Sequence, residues 1–235
     1  MTQIETESPP SFSPASALIR LVVAVGAPAL FLFGGAGTWH WRAAWVYMAV
    51  LIGGMAAAVA VFRKQPDLAR ERASHWRDGT PFDRLLLLVV GVLGPSVVQI
   101  VCGLDRRFSW TPSLPIAARI AGACAFAAGA AVTAWAMSVN RFFSAVVRIQ
   151  SERGHAVITA GPYAFVRHPG YASMIVATVG CPLLLGSLWA LLPTFLVVAA
   201  FLVRTTNEDR VLLARLDGYA AYARQVRYRL CPGVW

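Results

Sequence analysis

Long apolar blocks joined by short basic connections constrain this chain more than any other feature. The blocks run about Ala17–Phe33, Ala43–Phe62, Leu85–Cys102, Ile116–Met137, Tyr171–Leu185 and Ser187–Val203. A membrane-spanning helix needs roughly 20 apolar residues, within a range of about 17–25. The first four blocks qualify. The fifth is short, and Gly186-Ser187 barely separates it from the sixth, so the two read as a helical hairpin with a tight turn. Backbone polar groups in hydrocarbon must be satisfied internally, which leaves helices or closed barrels. The alternation of a membrane barrel is absent. The expected fold is all-α: a polytopic membrane helix bundle of about six spans, the last two forming the hairpin.

Composition agrees. The chain is 57% hydrophobic and 14% charged, against about 25% charged for a soluble domain. No polar stretch is long enough for a separate soluble domain. The net charge of +10 comes from 21 Lys+Arg against 11 Asp+Glu. These cations are scattered between apolar spans, with no helix or stripe to read a nucleic-acid groove. They fit the positive bias of cytoplasmic loops and could attract anionic headgroups. Arg63, Lys64, Arg70, Arg72, Arg77 and Arg84 lie between blocks two and three. Arg141, Arg148, Arg153 and Arg167 lie between blocks four and five, and Arg204, Arg210, Arg215, Arg224, Arg227 and Arg229 follow block six. Arg42, Arg106 and Arg107 are the few on the opposite side. This asymmetry places both termini in the cytoplasm, in a bacterial inner membrane or the endoplasmic reticulum.

Smaller features fill in the frame. Met1–Pro14 is polar, rich in Ser and Pro, and lacks the basic start of a signal peptide; it reads as a disordered lead-in. Residues 15–139 read as N-terminal transmembrane helices and residues 140–235 as the region that carries chemistry. Gly122, Ala125 and Gly129 in block four permit close helix approach. Glu208 to Tyr222 has the spacing of an amphipathic interfacial helix, interrupted at Asp217-Gly218. Cys102, Cys124, Cys181 and Cys231 form no CxxC and have no His at ligand spacing, so they read as packing residues. His40, His75, His155 and His168 do not cluster, and no metal is expected.

Ionisable groups are expensive beside hydrocarbon, so their presence at a boundary marks a candidate site. Two groups stand out. Gly161-Pro162-Tyr163-Ala164-Phe165-Val166-Arg167-His168-Pro169-Gly170-Tyr171 precedes block five, and Arg204, Glu208 and Asp209 follow block six. The hairpin would return both to one membrane face. Pro169 biases His168 towards an extended backbone and suits the first turn of the next helix. That helix end, with its unpaired N–H groups, can hold a carboxylate or phosphate. Arg204 and Glu208, four residues apart, share a helix face. Alone, the pair could equally be a surface ion pair with a snorkelling arginine.

Taken together, Gly161-Pro162-Tyr163, Arg167-His168-Pro169-Gly170-Tyr171, Glu208-Asp209 and Gly218-Tyr219-Ala220-Ala221-Tyr222 resemble the isoprenylcysteine carboxyl methyltransferase and phospholipid methyltransferase superfamily. The resemblance covers roughly Asn140 to Pro232. It implies a membrane-embedded methyltransferase using S-adenosyl-L-methionine (SAM), with a cytoplasm-facing cofactor pocket closed by the C-terminal segment. It assigns cofactor contacts to Gln150, His155, Ala156, Val157, Ile158, Tyr163, Arg167, His168, Pro169, Gly170, Tyr171, Glu208 and Asp209. Arg204 matches the arginine that takes the acceptor carboxylate. Two positions depart from the pattern: Ser173 stands where the family has Gly, and Asp209 where its acidic pair has a second Glu.

The implied chemistry suits these residues. Glu208 could hold the cofactor's ammonium or ribose, Arg167 or the helix end its carboxylate, and Tyr163 and Tyr171 its adenine or sulfonium. A carboxylate acceptor is already ionised and needs no base, whereas an amine or thiol would need Glu208, Asp209 or His168 as proton acceptor. The acceptor class is a lipidic or hydrophobic molecule, most simply a prenylcysteine-type carboxylate. Two other readings share features. Membrane sterol reductases, which use NADPH, resemble the Arg-His-Pro-x-Tyr segment, but the acidic pair and the Gln150–Tyr163 stretch favour the methyltransferase. A non-enzymatic transporter or assembly protein would be expected to carry charges near the midplane, and these spans carry few.

Overall fold

The computed structural model describes residues 14–75 and 78–235, and among them the chain is helical, with no strand. The expected lead-in lies, Pro14 aside, outside the described residues. Helix α1 (Pro14–Ala29) runs into a π-helical turn at Leu30–Gly34. Then follow α2 (Arg42–Lys64), α3 (Pro66–Ser74) and α4 (Pro81–Leu88). A second π turn, Val89–Leu93, joins α4 to α5 (Gly94–Phe108). The chain continues with α6 (Ile116–Val139), α7 (Pro169–Leu185), α8 (Leu191–Arg215) and α9 (Tyr219–Gln225).

Proline sets several of these starts. Pro66, Pro81 and Pro169 occupy first turns, where the missing N–H costs nothing. The Thr80 hydroxyl caps α4 by accepting from the Asp83 N–H at 3.1 Å. Pro95 lies just beyond the second π turn. Its missing donor, and its ring against the carbonyl four residues back, account for the widened turn.

Four helical stretches are long and apolar enough to cross a membrane: Arg42–Lys64, Pro81–Phe108, Ile116–Val139 and Leu191–Arg215. Leu18–Gly34 and Pro169–Leu185 are shorter apolar helices beside them. The chain is a multi-pass integral membrane protein. The exposed apolar side chains, Leu18, Ile52, Ile120 and Leu196 among them, are the surface such a protein turns to lipid.

Two expectations change in detail. The α7–α8 hairpin is present, but α8 begins at Leu191, so residues 186–190 form the turn; Gly186, at φ 80°, ends α7. The segment from Glu208 to Tyr222 is interrupted near the expected Asp217-Gly218, but its first part continues α8 and is not a separate helix. Residues 208–215 are the end of α8, Leu216–Gly218 break it, and α9 follows. The connection between blocks two and three also contains a helix, α3, which its charge pattern concealed.

The α6–α7 pair forms the tightest seam, and small residues explain it. A Cβ on Gly122 would lie 2.4 Å from the Leu184 backbone nitrogen, and one on Gly129 would lie 2.5 Å from the Ser173 carbonyl. Side chains are absent where the two backbones meet. This seam fixes the start of α7, and with it the polar segment before it, against the end of α6.

Candidate active site

At one end of the bundle, α7, α8, α9 and the irregular segment 140–168 enclose a cavity of about 1060 Å³ of open space. Most of the residues singled out by sequence converge there. His155, Ala156, Val157, Ile158, Tyr163, Arg167, His168, Gly170, Tyr171, Arg204 and Glu208 line it. Gln150, Pro169 and Asp209 stand behind the wall.

Asp209 is the hub of that second layer. Its carboxylate is fully buried and accepts from Arg167 through both oxygens, at 2.9 and 3.0 Å. Arg229 donates to it at 2.8 Å and the Tyr219 hydroxyl at 2.9 Å, and His168 Nε2 lies 3.2 Å away. The Arg167 guanidinium also donates to the carbonyls of Val226 and Arg227. The backbone N–H groups of Arg167 and His168 donate to the carbonyls of Tyr228 and Arg229. One carboxylate thus ties the segment before α7, the end of α8, α9 and the C-terminal stretch together over the cavity. Burial works against the Arg167 charge, but the Asp209 bonds prevail and raise its pKa.

Glu208 and Arg204 share a second junction. Tyr171 donates its hydroxyl to Glu208 at 2.5 Å and accepts from Arg204 Nε at 3.1 Å. Arg204 is buried, pairs with Asp83 at 3.4 Å, and donates to the Ala145 carbonyl. Its guanidinium lies over the Tyr171 ring, 5.8 Å from the centroid. Its Nη1 is buried with no hydrogen-bond partner among the described residues. A buried N–H of a charged group left unpaired is costly, so this donor on a cavity wall calls for an acceptor from a ligand.

The approach segment is held by its own contacts. Gln150 is fully buried; its amide donates to the Phe142 carbonyl at 2.9 Å and accepts from Arg153. The Gln150 N–H lies 3.3 Å from His155 Nδ1, so this bond is made by the neutral imidazole. Burial also lowers the His155 pKa from its usual 6.5. Tyr163, raised by burial, accepts from the Asn140 amide at 2.9 Å. Tyr222, pushed up to about 12 chiefly by burial, donates to the Tyr163 carbonyl at 2.7 Å. Both phenols therefore stay protonated at neutral pH.

Sequence reasoning missed the N-terminal half of the site. Arg72 from α3 and Leu87 and Val90 from the α4 end line the cavity. The Arg72 guanidinium donates to the Phe143 carbonyl at 3.2 Å and lies over that ring, 5.7 Å from its centroid. Glu71 is buried behind, accepting from Ser144 at 2.8 Å and Arg148 at 3.2 Å. Asp83 accepts from the Val147 N–H at 3.0 Å. The available signal was the run Pro66–Asp83, where four acids, Asp67, Glu71, Asp78 and Asp83, stand among three arginines in an otherwise basic connection.

Fold and site together define a class: a polytopic membrane protein with one deep cavity at a bundle end, polar on one wall and apolar on another. Residues 121–214 match the model of the isoprenylcysteine carboxyl methyltransferase (ICMT) family. Through this stretch the chain is similar to that family. It is 34% identical over 92 residues to a protein-S-isoprenylcysteine O-methyltransferase of Schizosaccharomyces pombe, covering 38% of this chain and 39% of that one. A probable protein-S-isoprenylcysteine O-methyltransferase of Oryza sativa subsp. indica is 30% identical over 92 residues, covering 38% and 48%. In Arabidopsis thaliana, protein-S-isoprenylcysteine O-methyltransferase B is 26% identical over 92 residues, covering 38% and 47%. The matched stretch thus spans less than half the length of these relatives. The family-model match, residues 121–214, holds Arg204, Glu208 and Asp209 but not Arg72 or Asp83.

Proposed function

We propose that this chain is a SAM-dependent methyltransferase that esterifies the carboxylate of a lipidic acceptor of the S-isoprenylcysteine kind. On this reading the bundle has six spans, with α1 and α7 completing the four long helices. Both termini and the cavity face the cytoplasm. Residues 140–235 form the catalytic region, and residues 15–139 supply the membrane scaffold and part of the acceptor wall.

One observation carries the reading. A single cavity joins a carboxylate (Glu208), an arginine with an unsatisfied buried donor (Arg204) and an apolar wall of Leu87, Val90, Met174 and Phe201. The residues suit SAM. Glu208 would hold the cofactor's ammonium or ribose hydroxyls, Tyr163 and the run His155–Ile158 would flank its adenosine, and the wall around Gly170 would take its carboxylate. When bound, SAM supplies a methyl group on a sulfonium.

The chain's own residues do the rest by positioning. Arg204 presents Nη1 to one acceptor oxygen, while its Nε remains on Tyr171. Because Tyr171 also donates to Glu208, one phenol sets the spacing between the cofactor side and the acceptor side. Such alignment is where rate enhancement arises when nucleophile and electrophile need only meet in line. The carboxylate is already ionised, so no side chain has to accept a proton. Arg72 adds a second guanidinium on the acceptor side, which favours an anionic headgroup over an amine. The apolar wall receives the lipid chain.

The test is ligand retention by detergent-purified protein. SAM or its demethylated product should bind at micromolar concentration, and NADPH should not. Retention of NADPH alone would replace this reading with the reductase.

A further inference from the structure

The face opposite the catalytic cavity carries an arrangement that methyl transfer does not use. There the loop before α2, the α5–α6 connection and the α7–α8 turn surround a second cavity, of about 920 Å³ of open space. Its lining includes His40, Arg42, Arg106 and Arg119. Arg107 stands beside it, its guanidinium 3.8 Å from where Gly37 would carry a Cβ; Arg119 Nε lies equally close to the same point on Gly186. Gly37 and Gly186 hold φ values of 66° and 80°, so arginine side chains rest on two turns that lack side chains of their own.

Three arginines face one acid in this lining, so it is net positive: Asp105 also lines the basin. The acid on this face is Asp105, which is buried. Its oxygens are taken by neutral donors: the Thr111 N–H at 2.7 Å, the Thr111 hydroxyl at 2.6 Å and the Ser187 hydroxyl. Among the described residues none of Arg42, Arg106, Arg107 and Arg119 makes an ion pair. Like charges crowded at one cavity repel, and the side away from the basic loops is where arginine is otherwise scarce. The basin also contains Ser109, whose φ of 55° is the one left-handed value at a non-glycine position among the described residues. Such strain persists where the surroundings over-determine it.

Exposed aromatic residues fix the depth. Trp39, Trp45, Phe108, Trp110 and Trp189 are all exposed at this end, and tryptophan concentrates at the headgroup level of a bilayer. Such a belt would hold the mouth of the basin at headgroup depth. We infer that it binds the phosphate headgroup of an anionic phospholipid of the leaflet opposite the catalytic cavity. Arg106 and Arg119 would engage the phosphate oxygens, Ser109 the neighbouring polar groups, and the tryptophans the acyl-chain shoulders.

The experiment compares lipid retention by the full chain. Purified protein in neutral detergent is offered equimolar phosphatidylglycerol and phosphatidylcholine, and bound lipid is read by native mass spectrometry. Phosphatidylglycerol should be retained preferentially. An Arg106→Gln/Arg119→Gln variant should lose that preference by about 20–30-fold, at roughly fivefold per basic residue facing an anionic headgroup. Arg224→Gln, on the catalytic side, should leave it unchanged. SAM retention by the double variant reports that it is folded. If the double variant does not fold, Arg42→Gln provides the single-charge version, with a loss of about fivefold. Equal retention of the two lipids by the wild type would overturn the inference. So would unchanged preference in a folded variant, or protection by free inorganic phosphate equal to that by the lipid, which would indicate a soluble-anion site.

Discussion

Adjacent acids on α8 should fail in opposite ways. Asp209→Ala removes the acceptor of the Arg167 fork, Arg229 and Tyr219 and leaves the Arg167 guanidinium without its buried partner. Breaking a buried pair by removing one member costs about 3–5 kcal/mol. For a chain of this length about 1 kcal/mol moves the melting temperature by about 2–4 °C. A fall of about 6–20 °C in detergent is therefore expected. Asp209 does not touch the cavity, so its effect on cofactor retention should follow the loss of structure. Glu208→Gln is the contrast. Its carboxylate lines the cavity and makes one bond, to Tyr171. The amide keeps an acceptor for that bond while losing the charge offered to a cationic ligand. Its melting temperature should stay within about 3 °C, since it forfeits at most about 1 kcal/mol, while SAM affinity falls at least tenfold. Thermal unfolding followed by tryptophan fluorescence, paired with calorimetric titration of SAM, measures both. The reasoning is refuted if Asp209→Ala melts like the wild type, or if Glu208→Gln binds SAM normally.

Three further outcomes follow from the same contacts. Tyr171→Phe removes the hydroxyl shared by Arg204 and Glu208 and should lower kcat/KM for the acceptor about 10–100-fold, at about 1.5–3 kcal/mol for bonds to charged groups; steady-state assays with the acceptor varied at saturating cofactor read it. Gly129→Val places a side chain on the Ser173 carbonyl and should cost about 3 kcal/mol by overpacking, visible as a lowered melting temperature. His155 has its pKa lowered below 6.5 by burial, so the folded protein binds fewer protons there than the unfolded chain. Stability from this group is complete above pH 6.5 and declines as the pH falls through the lowered value. SAM affinity should be flat above pH 6.5 and weaken below it, and His155→Gln should flatten that decline.

Much of this was legible from residue order. Apolar length alone gave the helical class, and Pro169 after His168 placed a non-helical segment before α7. The paired clusters around Arg167 and Glu208 meet because a short hairpin returns the chain to its starting face. The resemblance pointed to Glu208 as the cofactor acid, but the residues alone could not say which of the two neighbouring acids lines the cavity. Glu208 and Asp209 differ by about 100° around a helix, and their partners, Tyr171 for one and Arg167 for the other, separate cavity wall from buried layer. Gln150 and Pro169 likewise belong to the supporting layer, since their bonds and ring are spent on local geometry. The contribution of α3 and α4 was hidden because Arg72 and Asp83 reach the site through tertiary packing, far from the motif in sequence. The end of α8 looked like a separate amphipathic helix because its polar face is real; Glu208 on it lines the cavity and Asp209 is buried behind, while Arg210 and Arg215 are exposed.

The most direct test of the central claim is methyl transfer itself. Purified protein is incubated with methyl-labelled SAM and an S-farnesylcysteine whose amine is blocked, and base-labile methyl ester is counted, with Arg204→Gln alongside. Label should appear as ester with the wild type, and with Arg204→Gln it should fall at least tenfold while SAM retention persists. An absence of ester from protein that retains SAM, or equal ester from both proteins, would contradict the assignment of this cavity to an acceptor carboxylate.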